Sequence, residues 1–241
     1  MIVVSSDAYP PSTCEDPHAM PPDAQFTTAY RVTLGVLSPV VRGWGRLEVT
    51  GLDELPASGP LLLAGNHDSY WDPVAIGIAA LPVRQIHALA KSSLWKFPGL
   101  GPILTGMGQI PVNRGQRDEA AMARAIEELR AGACIGIFPE GTRSLGRTLR
   151  ARSGLGRLAT AVPEAEIVCV AVSGTVDFPS FPKRPRATVD FFRPAGGGLQ
   201  AGEGAGDLTA RLLVELRERA PIVVTGRRRQ RALEREAAGA R

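Results

Sequence analysis

The chain has 241 residues, of which 44% are hydrophobic and 22% are charged, a balance that is typical of a folded globular protein and excludes a disordered one. Its net charge of +4 favours an anionic partner, such as phosphate, an acidic carrier protein, a membrane surface or nucleic acid, without choosing among them. The three cysteines, Cys14, Cys134 and Cys169, show neither a metal-binding spacing nor a disulfide framework, so we expect a reducing compartment.

The two ends of the chain differ in charge. We expect residues 1–25 to form a poorly ordered leader, because they are proline-rich and acidic and lack the basic flank of a signal peptide. Residues 226–241 form a basic tail, which we interpret as a solvated chain end. No run approaches the roughly 18 apolar residues of a membrane-spanning helix. The protein is therefore not expected to cross a membrane, and binding to a membrane surface stays open.

Residues 26–46 are predicted to form an amphipathic helix, with a kink at Pro39. Five apolar residues recur there at helical spacing: Tyr30, Leu34, Leu37, Val41 and Trp44. Arginines border this stripe. Two interpretations stay open, a helix packed on the core and an interfacial helix with its apolar face among lipid acyl chains.

Strand and helix patterns alternate after this helix. Six apolar runs are predicted as strands, at residues 60–65, 83–89, 109–112, 133–138, 167–172 and 187–192. Helices are predicted at residues 72–81, 117–132 and 208–220. Asp72 and Asp207 are expected to cap the first and last of these helices. The pattern predicts an α/β fold, a single domain with a mixed, largely parallel sheet flanked by helices and preceded by the N-terminal helix.

Polar residues follow three of the predicted strands. His67 and Asp72 occur in GNHDSYWDP, Asn113-Arg114-Gly115 follows the strand QIPV, and FPEGTRS follows the strand ACIGI. The carboxyl ends of strands in an open α/β sheet form the crevice where ligands bind. One crevice could therefore collect all three segments.

The spacing of His67 and Asp72 restricts how the two side chains can meet. Residues five apart point about 140° away from each other on a helix, and they lie on opposite faces of a strand. The pair can meet only if the chain turns between them, and NHDSYW is suited to a turn. A carboxylate beside His67 would fix the imidazole tautomer and make the other ring nitrogen a general base. The alternative is a turn histidine followed by a helix cap.

Two arginines favour a site for an anion. Arg114 and Arg143 each follow an apolar strand, and a guanidinium matches phosphate oxygens in a bidentate manner. Glu140 could accept a hydrogen bond from a substrate hydroxyl or hold an arginine in position. The alternative is that both arginines form surface ion pairs, which contribute little.

These segments together resemble a known family. NHDSYWD looks like the H-x4-D signature of the glycerolipid acyltransferases, the 1-acylglycerol-3-phosphate acyltransferase family. IPVNRG, FPEGTRS and VCVAVSGT resemble its second, third and fourth blocks, in the family's order. Residues 90–108, which include Lys91, are similar to the segment that joins the first two blocks. The resemblance covers about residues 30–195.

The resemblance implies transfer of a fatty acyl group from acyl-CoA or acyl carrier protein to the hydroxyl of 1-acylglycerol-3-phosphate (lysophosphatidic acid), which gives phosphatidic acid for phospholipid synthesis. It implies that His67 is the general base, that Asp72 orients it, and that no metal, cofactor or covalent enzyme intermediate takes part. The substrate-binding residues that the resemblance implies are Lys91, Arg114, Glu140, Gly141, Thr142 and Arg143.

The resemblance also implies an organisation and a location. We expect an acyltransferase domain over residues 47–225, without nucleic-acid binding, in a cytoplasmic protein that lies peripherally on the inner face of the cell membrane. Other lysophospholipids or glycerol-3-phosphate are alternative acceptors. One departure is Cys169, where the fourth block usually has proline, and it puts details of the donor pocket in doubt.

Two other classes of function compete with acyl transfer. A serine hydrolase would use similar thioesters, but the chain has no G-x-S-x-G motif. A lipid-binding protein that kept the fold and lost catalysis is the second alternative. The presence of both His67 and Asp72 counts against it, because only catalysis requires the two together.

Overall fold

The computed structural model describes residues 26–113, 118–180 and 184–223. The predicted leader and basic tail lie outside the described residues, and so does Arg114. No helix within the described ranges is long and apolar enough to cross a membrane.

A seven-stranded sheet forms the centre of the described chain. Its strands are β1 (Glu48–Thr50), β2 (Leu61–Gly65), β3 (Ile86–Lys91), β4 (Ile110–Val112), β5 (Cys134–Ile137), β6 (Glu166–Ser173) and β7 (Thr188–Phe192). The strand order is β1-β7-β6-β2-β5-β3-β4, and every neighbouring pair is parallel except β6 and β7. The predicted mixed, largely parallel sheet is confirmed. Because β2 to β6 are parallel to one another, the loops after them meet at one edge of the sheet.

The described residues form six α-helices: α1 (Thr28–Ser38), α2 (Asp72–Ala80), α3 (Leu100–Gly106), α4 (Glu119–Arg130), α5 (Gly154–Ala161) and α6 (Ala205–Arg219). The helices α1 and α2 pack on one face of the sheet, and α4, α5 and α6 pack on the other face, so the core has two halves. The central strand β2 contributes to both halves, because all five of its residues are buried. This arrangement is typical of parallel strands covered on both faces.

Two predicted helix caps are corrected by the structure. Asp72 is the first residue of α2 and Trp71 occupies the cap position, so Asp72 is not the N-cap. Helix α6 begins at Ala205 after Gly204, and Asp207 lies in its first turn. The negative charge of Asp207 still favours the helix there, because backbone N–H groups give this end a partial positive charge.

The N-terminal helix changes type at the predicted kink. Pro39 has no backbone N–H to continue the α-helical hydrogen bonds. The chain continues as a π-helix over Pro39–Trp44, which closes with a hydrogen bond of 2.8 Å from the N–H of Gly45 to the carbonyl oxygen of Val40.

The apolar stripe of this helix packs on the core, as one of the two interpretations required. Tyr30, Leu34 and Val41 are buried, and the other two members of the stripe are partly buried. The opposite face of the helix carries an exposed row of valines, Val32, Val36 and Val40, of which Val36 is 72% exposed. A membrane-facing surface on this helix would therefore consist of the valine row and not of the predicted stripe.

Candidate active site

The loop between β2 and α2 brings His67 and Asp72 together. Nδ1 of His67 lies 3.1 Å from Oδ2 of Asp72, and both side chains are buried. The chain turns over residues 66–71 and then enters α2, as the spacing of the pair required. The predicted proximity of the two residues is confirmed.

The Asp72 carboxylate organises the loop that carries His67. Its Oδ2 accepts hydrogen bonds from the backbone N–H groups of Asp68 at 2.6 Å and Ser69 at 2.7 Å, and its Oδ1 accepts one from the Thr175 hydroxyl. Thr175 follows Gly174, which has a φ of +77° and whose place a side chain could not take, because a Cβ would lie 1.9 Å from the carbonyl oxygen of Arg186. Asp72 therefore holds both the His67 ring and the backbone beside it.

The His67 imidazole has a fixed orientation. Its ring stacks on Phe138, with 4.2 Å between the ring centroids and 14° between the ring planes. Within the part of the chain that the structure describes, the second ring nitrogen, Nε2, has no hydrogen-bond partner. A neutral imidazole that donates from Nδ1 to Asp72 leaves the Nε2 lone pair able to accept a proton.

The segment after β5 binds the His67 backbone on both sides. The N–H of His67 donates to Oε2 of Glu140 at 2.9 Å, and the N–H of Ser144 donates to the carbonyl oxygen of His67 at 2.7 Å. The structure therefore joins two of the three predicted polar segments. Glu140 is only 2% exposed, which favours a role in holding protein groups over the predicted contact with a substrate hydroxyl.

Glu140 and Asp68 share one arginine, Arg217 of α6. The guanidinium donates to both oxygens of Asp68, at 2.8 and 3.0 Å, and to Oε1 of Glu140 from two of its nitrogens. Burial raises the pKa of Glu140 above its ordinary value, and the hydrogen bonds from Arg217 only partly oppose this effect. Burial acts in the same direction on Asp68, but hydrogen bonds from Arg217 and Ser144 outweigh it and lower the pKa. Glu140 does hold an arginine, and that arginine is Arg217.

Tyr70, Thr142 and Arg143, which are exposed or half-buried, follow the cluster residues in the chain and form what we call the rim of the site. The guanidinium carbon of Arg143 lies 3.5 Å from the centroid of the Tyr70 ring, which is 69% exposed. Among the described residues, Arg143 forms no ion pair. Thr142 is exposed beside it, and Gly141 has the positive φ of 68° that its turn requires.

Asn113, the described residue of the third polar segment, lies at the sheet edge formed by β3 and β4. Lys91 is the last residue of β3 and is exposed. Asn113 follows β4, and its side-chain oxygen accepts a hydrogen bond of 2.6 Å from Ser92. No hydrogen bond or ion pair between described residues links Lys91 or Asn113 to His67. Arg114 lies outside the described residues, so its predicted position stays a prediction.

Cys169 packs in the core. It is fully buried on β6, beside Ala64 of β2, and burial raises the pKa of its thiol to about 12. The departure from the usual proline therefore lies at the centre of the sheet. Cys134, on β5, is buried in the same way.

Several residues of the cluster were not predicted from the sequence: Asn66, Asp68, Ser144, Thr175 and Arg217. All of them except Arg217 lie inside the quoted motifs, where their hydrogen-bonding side chains were a usable signal. Asn66 bonds to both the N–H and the carbonyl of Val172, across 106 residues of sequence, and no local pattern indicates such a contact.

Comparisons with known proteins identify the family. A family model described as Acyltransferase matches residues 46–173. The 1-acyl-sn-glycerol-3-phosphate acyltransferase of Bacillus subtilis is 30% identical over 115 residues, which cover 48% of this chain and 57% of that protein. The protein of the same description from Borreliella burgdorferi is 40% identical over 108 residues, which cover 44% of this chain and 42% of that protein. The chain thus spans about half the length of these two relatives.

A solved structure shares the fold. The 1-acyl-sn-glycerophosphate (LPA) acyltransferase from Thermotoga maritima superimposes with a TM-score of 0.58 at 22% identity, and the match covers 76% of this chain and 77% of that one. The family model spans more than half of the chain and includes His67, Asp72 and the FPEGTRS segment. The chain therefore belongs to the acyltransferase family.

Proposed function

We propose that the protein transfers a fatty acyl group from a thioester, acyl-CoA or acyl carrier protein, to the free hydroxyl of lysophosphatidic acid, and so forms phosphatidic acid. The observation that carries this proposal is the buried His67–Asp72 pair, in which Nε2 of His67 has no hydrogen-bond partner among the described residues. Arg143, which forms no ion pair with a described residue, precedes Ser144, the residue that binds the His67 carbonyl oxygen. The descriptions of the two bacterial relatives support lysophosphatidic acid as the acceptor.

The proposed reaction needs a base and a proton donor in turn. Nε2 of His67 takes the proton of the acceptor hydroxyl as the hydroxyl oxygen attacks the thioester carbonyl carbon. The tetrahedral intermediate then collapses, the carbon–sulfur bond breaks, and the imidazolium returns its proton to the departing thiolate. Asp72 stabilises the imidazolium between these two steps. The acyl group passes directly to the acceptor.

The rim provides the proposed acceptor site. Arg143 is held over Tyr70 with its charge uncompensated by described residues, and guanidinium groups bind phosphate through two parallel hydrogen bonds. We assign Arg114, Lys91 and the Gly141-Thr142 backbone to the same substrate. Glu140 contributes indirectly, because its carboxylate binds the His67 backbone and Arg217.

We propose that the exposed valine row rests on a membrane surface, where both acyl-chain substrates partition. Val32, Val36 and Val40 share one helix face. Helix α3 packs against α1 and carries a further exposed apolar residue, Ile103, and Phe97, which precedes α3, is also exposed. Apolar side chains of this kind enter the boundary between headgroups and acyl chains. The basic net charge of the protein favours anionic lipid.

The membrane proposal is tested with point substitutions, because deletion of α1 would uncover buried Tyr30 and Leu34. The double change Val32→Ser and Val36→Ser should weaken sedimentation with anionic liposomes roughly tenfold. The melting temperature should stay unchanged, since both valines are exposed. Val214→Ser, at an equally exposed valine of α6, is the control. Equal sedimentation of the parent, the double variant and the Val214→Ser control would exclude the valine row as the contact surface.

The acyl transfer proposal is tested by thiol release from acyl-CoA, with and without lysophosphatidic acid, followed by mass spectrometry of the lipid product. Release only with the acceptor, together with phosphatidic acid formation, is the expected result. Release without acceptor would indicate a hydrolase, and no release from either donor would favour the lipid-binding alternative. Glycerol-3-phosphate and other lysophospholipids in the same assay identify the acceptor class.

A further inference from the structure

Arg217, near the end of α6, lies between the carboxylates of Asp68 and Glu140 in a buried charge cluster. Nη1 and Nη2 of Arg217 donate to the two oxygens of Asp68, and Nε donates to Oε1 of Glu140 at 3.1 Å. Nη1 also donates to the carbonyl oxygen of Ala220, at 3.2 Å, so the end of α6 is part of the same network. All three side chains are largely shielded from solvent.

Both carboxylates are directly connected to the backbone of His67. Asp68 is the next residue in the chain, and its Oδ1 also accepts a hydrogen bond from the Ser144 hydroxyl. Glu140 accepts the N–H of His67, while Ser144 donates its own N–H to the carbonyl of His67. Arg217 therefore fixes the loop after β2, which carries His67, relative to the loop after β5.

The need for stability does not explain this arrangement. Helix α6 already attaches to the sheet through buried Leu208, Leu212 and Leu216. Two carboxylates and one guanidinium leave a net charge of −1 in a largely buried place, and burying charge is costly even when it is paired. An ordinary packing contact at Arg217 would avoid that cost. Charge-assisted, bidentate bonds provide directional precision instead.

We propose that Arg217 is a positioning residue that holds the His67 loop in the geometry needed for proton transfer by binding Asp68 and Glu140 together. The inference rests on the proposed acyl transfer, in which His67 is the base. Displacement of a reacting group by about 1 Å can cost about 10²-fold in rate. Loss of Arg217 should therefore lower kcat and leave the KM values for both substrates nearly unchanged, because the rim residues keep their contacts.

The test compares Arg217→Gln with Arg217→Lys and with Arg211→Gln. We expect kcat to fall by about 10²-fold in Arg217→Gln and by less in Arg217→Lys, which keeps the charge and loses the planar fork. Arg211 is a matched control, because it lies on the same helix and binds the carboxylate of Glu203 at 2.8 and 2.9 Å away from His67. Its variant should keep the parental kcat.

A double variant separates positioning from charge and from folding. Asp68→Asn combined with Arg217→Gln has the parental net charge in the cluster, so we expect its Tm to recover relative to Arg217→Gln. Its kcat should stay as low as that of Arg217→Gln, since coupled residues are not additive. Recovery of kcat together with Tm would overturn the proposal and leave Arg217 with a charge-balancing role.

A readout that does not need activity distinguishes failure of this inference from failure of the proposed function. The nitrogen and proton NMR signals of the His67 imidazole should shift in Arg217→Gln and stay in place in Arg211→Gln. An inactive parent protein would refute acyl transfer, and the NMR comparison would still decide whether Arg217 positions His67. Unchanged His67 signals would overturn the inference, and so would unchanged kcat in an active protein.

Discussion

The buried base of the site and its exposed rim differ in how tightly their side chains are held. At the base, His67, Asp72 and Glu140 are buried and each forms at least two hydrogen bonds through side chain or backbone. At the rim, Arg143 and Tyr70 contact each other, and Tyr70 is mostly exposed. In the proposed reaction, the base would fix the geometry of proton transfer. The rim would offer an anion-binding surface that can adapt to different acceptor headgroups.

This difference separates two kinds of mutational effect. A change at the base should lower kcat, because it alters an interaction that matters most in the transition state. A change at the rim should raise the KM for the acceptor, because it removes a contact that substrate and transition state share. Substitutions at the base and at the rim can therefore test whether the two regions affect kcat and KM separately.

The largest effect is expected from His67→Ala. Loss of the positioned proton acceptor should reduce kcat by about 10²–10⁴-fold and leave donor binding intact. Steady-state kinetics and a donor-binding titration measure the two quantities. A variant with near-parental kcat would mean that another group accepts the proton, and the base of the site would have to be reassigned.

Asp72→Asn should come next, with a fall in kcat of about 10²-fold or more. An amide has one acceptor oxygen, whereas both oxygens of Asp72 accept hydrogen bonds from the loop and from Thr175. The melting temperature should therefore also fall, in contrast to the small change expected if Asp72 were a simple cap. Asp53→Asn, at an exposed residue of a short 3-10 helix, is the control for charge. Parental activity in Asp72→Asn would return Asp72 to a structural role.

Arg143→Ala tests the rim. We expect the KM for the acceptor to rise by tens to hundreds of fold if the guanidinium makes a charge-assisted contact worth about 1.5–3 kcal/mol. The same change at Arg114 should act in the same direction. Arg193→Ala is the control, because Arg193 pairs with Glu166 at the opposite end of β6. An increase confined to the donor KM would assign the arginines to the phosphates of the donor.

The smallest effect is expected at Tyr70. Tyr70→Leu removes the ring that holds the Arg143 guanidinium, and the KM for the acceptor should rise about two- to fivefold, as for an exposed cation–π contact. Tyr70→Phe keeps the ring and should bind like the parent. Similar losses in both variants would show that the Tyr70 hydroxyl, and not its ring, contacts the substrate.

Local sequence patterns predicted the strands and the turn, which depend on the order of apolar and polar residues along a short stretch of chain. The six apolar runs became β2 to β7, and the turn between His67 and Asp72 followed from spacing alone. The three-residue edge strand β1 and the glycine-containing helices α3 and α5 have weak patterns, and they were not predicted. Their formation depends on packing against the sheet more than on intrinsic propensity.

Long-range partners were beyond the reach of these patterns. Arg217 meets Asp68 across 149 residues, and its position on a predicted helix gave no reason to prefer it to the other arginines of α6. Asp72 was expected both to contact His67 and to cap α2. Only the fold shows that its carboxylate turns back to the backbone N–H groups of Asp68 and Ser69 and does not occupy the cap position. Residue type and spacing thus predicted the contact between His67 and Asp72 better than the contacts that support it.

The two buried thiols can serve as probes of local opening. Cys134 and Cys169 lie on β5 and β6, the strands that pair with both sides of β2. Their pKa values of about 12 keep them protonated, and burial keeps alkylating reagents away from them. The rate of alkylation at either position should therefore measure how often the sheet opens around β2. Strand β2 leads directly into the His67 loop. In Asp72→Asn and Arg217→Gln, that rate distinguishes a misplaced imidazole from a loosened sheet without any lipid substrate.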